Sequence, residues 1–103
     1  MFVRIWEYEV APAAVQRFVA AYGADGDWAR LFRRGDGYAG TELFRGAEAG
    51  SRFLTVDRWR DRGAWTAFLD REREAYRALD AELAPLTTRQ RPLLEGTVPD
   101  DGP

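Results

Sequence analysis

Segments in the order strand, helix, strand, strand, helix, strand predict an α+β fold, the split βαβ arrangement of the ferredoxin-like class with a four-stranded antiparallel sheet. Three observations carry that prediction. Apolar and aromatic residues alternate with period two in four stretches, and they recur at three- and four-residue spacing in the stretches between. Proline or glycine stands at nearly every change of period. The 103 residues suit one domain; residues 1–98 carry the pattern, and residues 99–103 read as a disordered C-terminal tail.

The first strand runs from Phe2 to Val10, rich in β-branched and aromatic residues, and Pro12 stops it. One side carries Phe2, Arg4, Trp6, Tyr8 and Val10; the other carries Val3, Ile5, Glu7 and Glu9. Pro12 suits a first helical position, Val15, Phe18, Val19 and Tyr22 then trace an amphipathic stripe, and Gly23 closes the helix. Asp25 and Asp27 offer caps for a short segment, Trp28 to Arg34, with Trp28, Leu31 and Phe32 on one side. Gly35, Asp36 and Gly37 break it. Tyr38 to Arg45 and Arg52 to Trp59 read as a hairpin around Gly46 to Ser51. Asp61 caps a long helix running to about Leu83, with Trp65, Phe68, Leu69, Tyr76, Leu79 and Leu83 on one stripe, and Pro85 ends it. The last strand, about Thr88 to Val98, contains Pro92, which has no amide to donate and so belongs at a sheet edge.

Two helices cover only one face of such a sheet. The alternation leaves Val3 and Ile5, with Leu54 and Val56, or else the residues on the opposite faces of these strands, without a helix partner. Roughly eight apolar side chains, at about 1.5 to 3 kcal/mol each on full burial, are more than a small domain leaves in water. The expectation is a homodimer formed sheet against sheet.

Composition narrows the chemistry. All 15 basic residues are arginine, and the chain has no lysine, histidine, cysteine or asparagine. That removes the imidazole base, the thiol nucleophile, the Schiff-base amine and the usual ligands of zinc, so no metal is expected. A net charge of −2 from 17 acidic and 15 basic groups, interspersed along the chain, gives no basic face for nucleic acid or anionic lipid. No apolar run approaches the roughly 18 to 20 residues of a membrane helix, and no secretory leader is recognisable. The expected location is the cytoplasm.

The segments Phe2-Val3-Arg4-Ile5-Trp6-Glu7-Tyr8, Gly37-Tyr38-Ala39-Gly40-Thr41-Glu42-Leu43 and Leu54-Thr55-Val56-Asp57-Arg58-Trp59, in this order of elements, resemble the antibiotic biosynthesis monooxygenase family of dimeric α+β barrels. The likeness spans about Phe2 to Val98. That family includes oxygenases that act on anthrone-like polyketides and quinols without a cofactor, and heme-degrading enzymes. Position by position, the resemblance puts the heme branch's axial histidine at Ala78, its first-strand asparagine at Trp6 and its tryptophan at Phe68. With no histidine in the chain, proximal histidine ligation of heme is excluded; ligation through Tyr76 is the remaining, remote route to heme, and no cofactor is expected. The cofactor-independent branch is the better match, and it implies a small aromatic ligand in a cavity between sheet and helices.

On that implied architecture Trp6, Tyr8, Trp28, Trp65, Phe68 and Tyr76 converge as the candidate substrate-binding set, the composition usual for an apolar pocket. Core packing is the ordinary role of any one of them. Two charged residues fall on apolar surfaces. Arg4 shares a strand side with Phe2 and Trp6, and Glu72 lies seven residues after Trp65, on the same helical stripe. Buried charges need partners, so Arg4 and Glu72 are expected either to pair with each other or to serve a ligand. In the second case Arg4 binds a phenolate or carboxylate and Glu72 or Asp57 removes a phenol proton. The expected function is thus a cofactor-independent monooxygenase on a quinol, phenolic or polyketide-like substrate, with a non-catalytic ligand-binding or stress-related barrel as the alternative.

Overall fold

The computed structural model describes residues 1–99. Strand β1 (Phe2–Val10) leads through a 3-10 turn at Pro12–Ala14 into helix α1 (Val15–Tyr22) and a short helix α2 (Asp27–Phe32). Strands β2 (Tyr38–Arg45) and β3 (Arg52–Trp59) form the expected hairpin. Helices α3 (Arg62–Arg71) and α4 (Arg73–Leu83) follow, and β4 (Thr87–Thr97) completes the sheet in the order β2-β3-β1-β4, all antiparallel. This is the ferredoxin-like arrangement, with Pro92 on an edge strand. Of the expected tail, Pro99 is a turn residue and positions 100–103 lie outside the described residues.

One expectation fails: the long helix after Asp61 is two helices. Asp61 does cap it, its side chain accepting from the Ala64 N–H at 2.8 Å. Glu72, however, leaves helical geometry at φ −109° and ψ 24°. Its N–H still bonds the Phe68 carbonyl, and α4 begins at the next residue, Arg73. The break separates the two halves of the aromatic stripe.

Helices cover the side of the sheet that carries Phe2, Arg4, Tyr8, Val10, Phe53 and Trp59, and these side chains are buried. Around Phe32 the rings of Trp28, Tyr38, Trp59 and Phe68 lie at 5.6, 5.6, 5.7 and 5.6 Å, most of them tilted or edge-on, as ring quadrupoles prefer. The α2–β2 turn must come close to this cluster. A Cβ at Gly35 would meet the Trp59 ring at 2.8 Å, and Gly37 adopts φ +93°, which only glycine takes without strain.

The opposite side carries Val3, Ile5, Leu54, Val56 and Leu94, bordered by the Glu7–Arg52, Glu7–Arg91 and Glu42–Arg58 ion pairs. Phe44 and Leu94 on this face are about half exposed, at 47% and 55%. Among the described residues no element covers it.

Candidate active site

Register across the sheet assembles the site. Arg4 on β1 stands opposite Glu95 on β4 and opposite Asp57 on β3, and Asp57 in turn stands opposite Thr41 on β2. Directly paired residues point to the same side, so these four form one polar row across all four strands on the helix-covered face. Aromatic rows flank it, with Trp6 on one side and Phe2 paired with Trp59 on the other.

Every group in the row is held. Arg4 Nε donates to Glu95 Oε2 at 2.8 Å, and its guanidinium lies 4.0 Å above the Trp65 ring, a cation–π contact. Thr41 Oγ1 donates to Asp57 Oδ1 at 2.6 Å, and the Tyr38 hydroxyl lies 2.5 Å from Thr41 Oγ1. Asp57 is only 7% exposed. Burial pushes its carboxyl up to about 6, against the Thr41 hydrogen bond and the Arg4 charge, which pull the other way.

Beside the row lies a cavity of about 560 Å³, open mouth included. Trp6, Tyr8, Trp28 and Tyr76 line it together with Arg4 and Asp57. The Tyr8 hydroxyl is shared with Thr55 at 3.1 Å. Burial raises the phenols of Tyr8, Tyr22 and Tyr76, so all three stay protonated at ordinary pH and can donate. Trp28 Nε1 is buried without a hydrogen-bond partner among the described residues; it nears the Tyr22 hydroxyl without hydrogen-bond geometry.

Three expected members of the site lie elsewhere. Glu72 does not meet Arg4: it pairs with Arg34 at 3.0 Å, because the helix break at Glu72 itself voids the seven-residue spacing from Trp65. Trp65 and Phe68 are core residues, stacked 5.8 Å apart and packed against Trp59. Trp65 does not line the cavity, but it touches residues that do: Arg4 over its face, and Tyr76 and Phe32 edge-on, each at 6.1 Å. Conversely Tyr22, Thr41, Thr55, Asp80 and Gln90 border the cavity and were not singled out. Thr41 and Thr55 had one available signal, polar positions alternating with apolar ones in otherwise β-forming strands. Among the described residues no cluster of His, Cys, Asp or Glu is placed to hold a metal.

The chain is thus an α+β domain of the ferredoxin-like class whose covered sheet face carries an aromatic-lined cavity, one arginine and one buried carboxyl. The family model for antibiotic biosynthesis monooxygenases matches residues 1–82, and the chain belongs to that family. A Nitrosomonas europaea protein assigned to the same family is similar in structure, with a TM-score of 0.72 and 16% identity over 98% of this chain and 93% of that one. SnoaB, a cofactor-independent oxygenase from Streptomyces nogalater, gives 0.66 and 17% over 97% of each chain. Rv0793 from Mycobacterium tuberculosis gives 0.64 and 21% over 96% of this chain and 98% of that one. At these identities the likeness is one of fold. Comparison with curated proteins by sequence gives no match.

Proposed function

We propose that the protein is a monooxygenase that works without a cofactor on a small phenolic, quinol or polyketide-like aromatic. The observation that carries this reading is the buried, ionisable Asp57 directly opposite Arg4 in a cavity otherwise walled largely by aromatic rings. A flat substrate lies among Trp6, Trp28 and Tyr76 with its hydroxyl toward the polar row. Asp57, largely ionised at neutral pH with its value near 6, takes the hydroxyl proton, an acidity well matched to general-base work. Arg4 and the protonated phenols stabilise the resulting anion. The electron-rich anion then gives one electron to dioxygen and the two radicals combine to a peroxide. The proton returns to it from Asp57, and loss of water, breaking the O–O bond and a C–H bond, leaves one oxygen atom on the substrate as a carbonyl. The protein's share is thus binding, proton transfer and exclusion of water.

The test is oxygen uptake with a panel of quinols and anthrones, chelator present and heat-denatured protein as control. Uptake by the native protein that falls by about 10²-fold or more in Asp57→Asn supports the reading. Uptake equal to the control across the panel rejects it. A second reading, ligand binding without turnover, draws on Arg4 Nε being already engaged by Glu95; it expects the same aromatics to bind with no oxygen consumed.

The open sheet face belongs to the same proposal. A second copy, sheet against sheet, buries Val3, Ile5, Leu54, Val56, Phe44 and Leu94 and brings the rim of acids and arginines together. Light scattering should give twice the chain mass of 11.7 kDa, and Ile5→Glu should return it to the single-chain value. A wild-type mass of one chain at micromolar concentration rejects the dimer. The proposed location is the cytoplasm, in keeping with a cysteine-free chain whose described residues hold no helix long and apolar enough to cross a membrane.

A further inference from the structure

Two of the residues behind Asp57 do more than pack. Thr41 has a single hydroxyl hydrogen, and it is donated to Asp57 Oδ1. The hydrogen in the contact between Tyr38 and Thr41 must therefore come from Tyr38. Both donors point the same way, inward from Tyr38 to Thr41 to the carboxylate.

This alignment is built, since three residues of regular strand would put Tyr38 and Thr41 on opposite sides of the sheet. The register shift between Tyr38 and Gly40 inserts Ala39 as a bulge and turns Tyr38 back to the covered side, opposite Trp59. Gly40, at φ +127°, supplies the backbone conformation that the bulge needs. At the outer end Tyr38 is part-exposed and feels the exposed Asp25–Arg33 pair, closed at 2.7 Å. At the inner end Asp57 faces Arg4. The path thus runs from Tyr38, which lies outside the cavity lining by α2, through Thr41 in the cavity wall to the carboxyl.

We infer that Tyr38 and Thr41 form a proton path joining the Asp57 carboxyl to solvent outside the cavity. In the inward direction water gives a proton to Tyr38 Oη, Tyr38 gives its own to Thr41 Oγ1, and Thr41 gives its own to Asp57 Oδ1. Three O–H bonds break, three form, and no electrons change owner. Once both hydroxyls have turned, the same three steps run outward. A ligand that fills the cavity closes the mouth, so a proton it hands to Asp57 has this second exit. That use in turnover rests on Asp57 being the base proposed above; the path itself is tested without substrate.

The experiment follows Asp57 by its carboxyl infrared band, identified by its absence in Asp57→Asn, after a light-released proton in the unliganded protein. Tyr38→Phe keeps Thr41 and its bond to Asp57, so the equilibrium titration should hold while protonation slows by about tenfold or more. Thr41→Val should slow it as much and raise the titration midpoint, because a donor to the carboxylate is lost. Thr41→Ser should restore both. Wild-type protonation rates in Tyr38→Phe and in Thr41→Val overturn the path. Should Tyr38→Phe fail to fold, the Thr41→Val and Thr41→Ser pair decides alone. Failure to consume oxygen with any aromatic would reject the base without touching these rates, so the two failures are distinguishable.

Discussion

The covered face of the sheet holds two aromatic regions built from the same residue types and put to different ends. Toward α3, Trp59, Trp65 and Phe68 pack ring on ring, and Trp59 and Phe2 are wholly buried. Toward α4, Tyr8, Trp28 and Tyr76 stand around open space. The polar row of Glu95, Arg4, Asp57 and Thr41 runs between the two. What separates a packed core from a lined cavity here is the oxygen content of the rings and the room left beside a carboxyl. Burying a carboxylate costs stability, and a core has no reason to keep one.

The largest expected effect is in the packed region. Trp59→Ala removes a side chain with no exposed surface, and such deletions cost about 3 to 5 kcal/mol, a large share of the roughly 5 to 15 kcal/mol that holds a domain folded. Denaturant titration should show that loss, whereas Trp28→Phe at the cavity should cost less than about 1.5 kcal/mol and be felt in aromatic binding instead. Similar losses from both substitutions would mean that the cavity is core.

Asp57 should invert the usual sign. Its folded value, near 6, lies above the ordinary carboxylate value of 3.8, so the native state holds its proton more tightly than the unfolded chain does. The stability contributed this way is complete below about pH 4 and is lost as pH rises through 6. The gap corresponds to about 3 kcal/mol. Asp57→Asn keeps an oxygen to accept from Thr41 and carries no charge, so it should be more stable than the wild type by up to that amount at pH 8. At pH 4 the two should be nearly equal. Greater stability with lost oxygen uptake is the signature of a site, and a destabilised Asp57→Asn at pH 8 would make the carboxylate a structural partner of Arg4.

Legibility in the sequence followed the range of the physics. Strand alternation is local, and it placed Phe2, Arg4, Trp6 and Tyr8 on one side and Val3 and Ile5 on the other, as observed. The hairpin strands are as the glycine-rich turn implied. The polar row was not legible, because its members are 91, 53 and 16 residues apart for Arg4–Glu95, Arg4–Asp57 and Thr41–Asp57 and meet only through register. Nor was the bulge at Ala39, although the glycine that permits it is in plain view; without it Tyr38 faces the wrong way. The break at Glu72 left no mark either, since Arg71-Glu72-Arg73-Glu74 are all good helix formers and tertiary packing overrode them.

That break sets the smallest expected effect. Glu72 pairs with Arg34, whose side chain is 59% exposed, and pairs of that kind contribute about 0 to 1 kcal/mol because water and salt screen them. Glu72→Gln still lets its backbone N–H bond the Phe68 carbonyl, so the junction of α3 and α4 keeps its geometry. The variant should lose less than about 1 kcal/mol, the loss should shrink further in high salt, and oxygen uptake and aromatic binding should be unchanged. A loss of several kcal/mol would require a buried cationic partner and return Glu72 to Arg4, which the Arg4–Glu95 contact denies it. Lost uptake with intact folding would carry the site across the helix break, and the division between packed and open aromatic regions would have to be redrawn around α4.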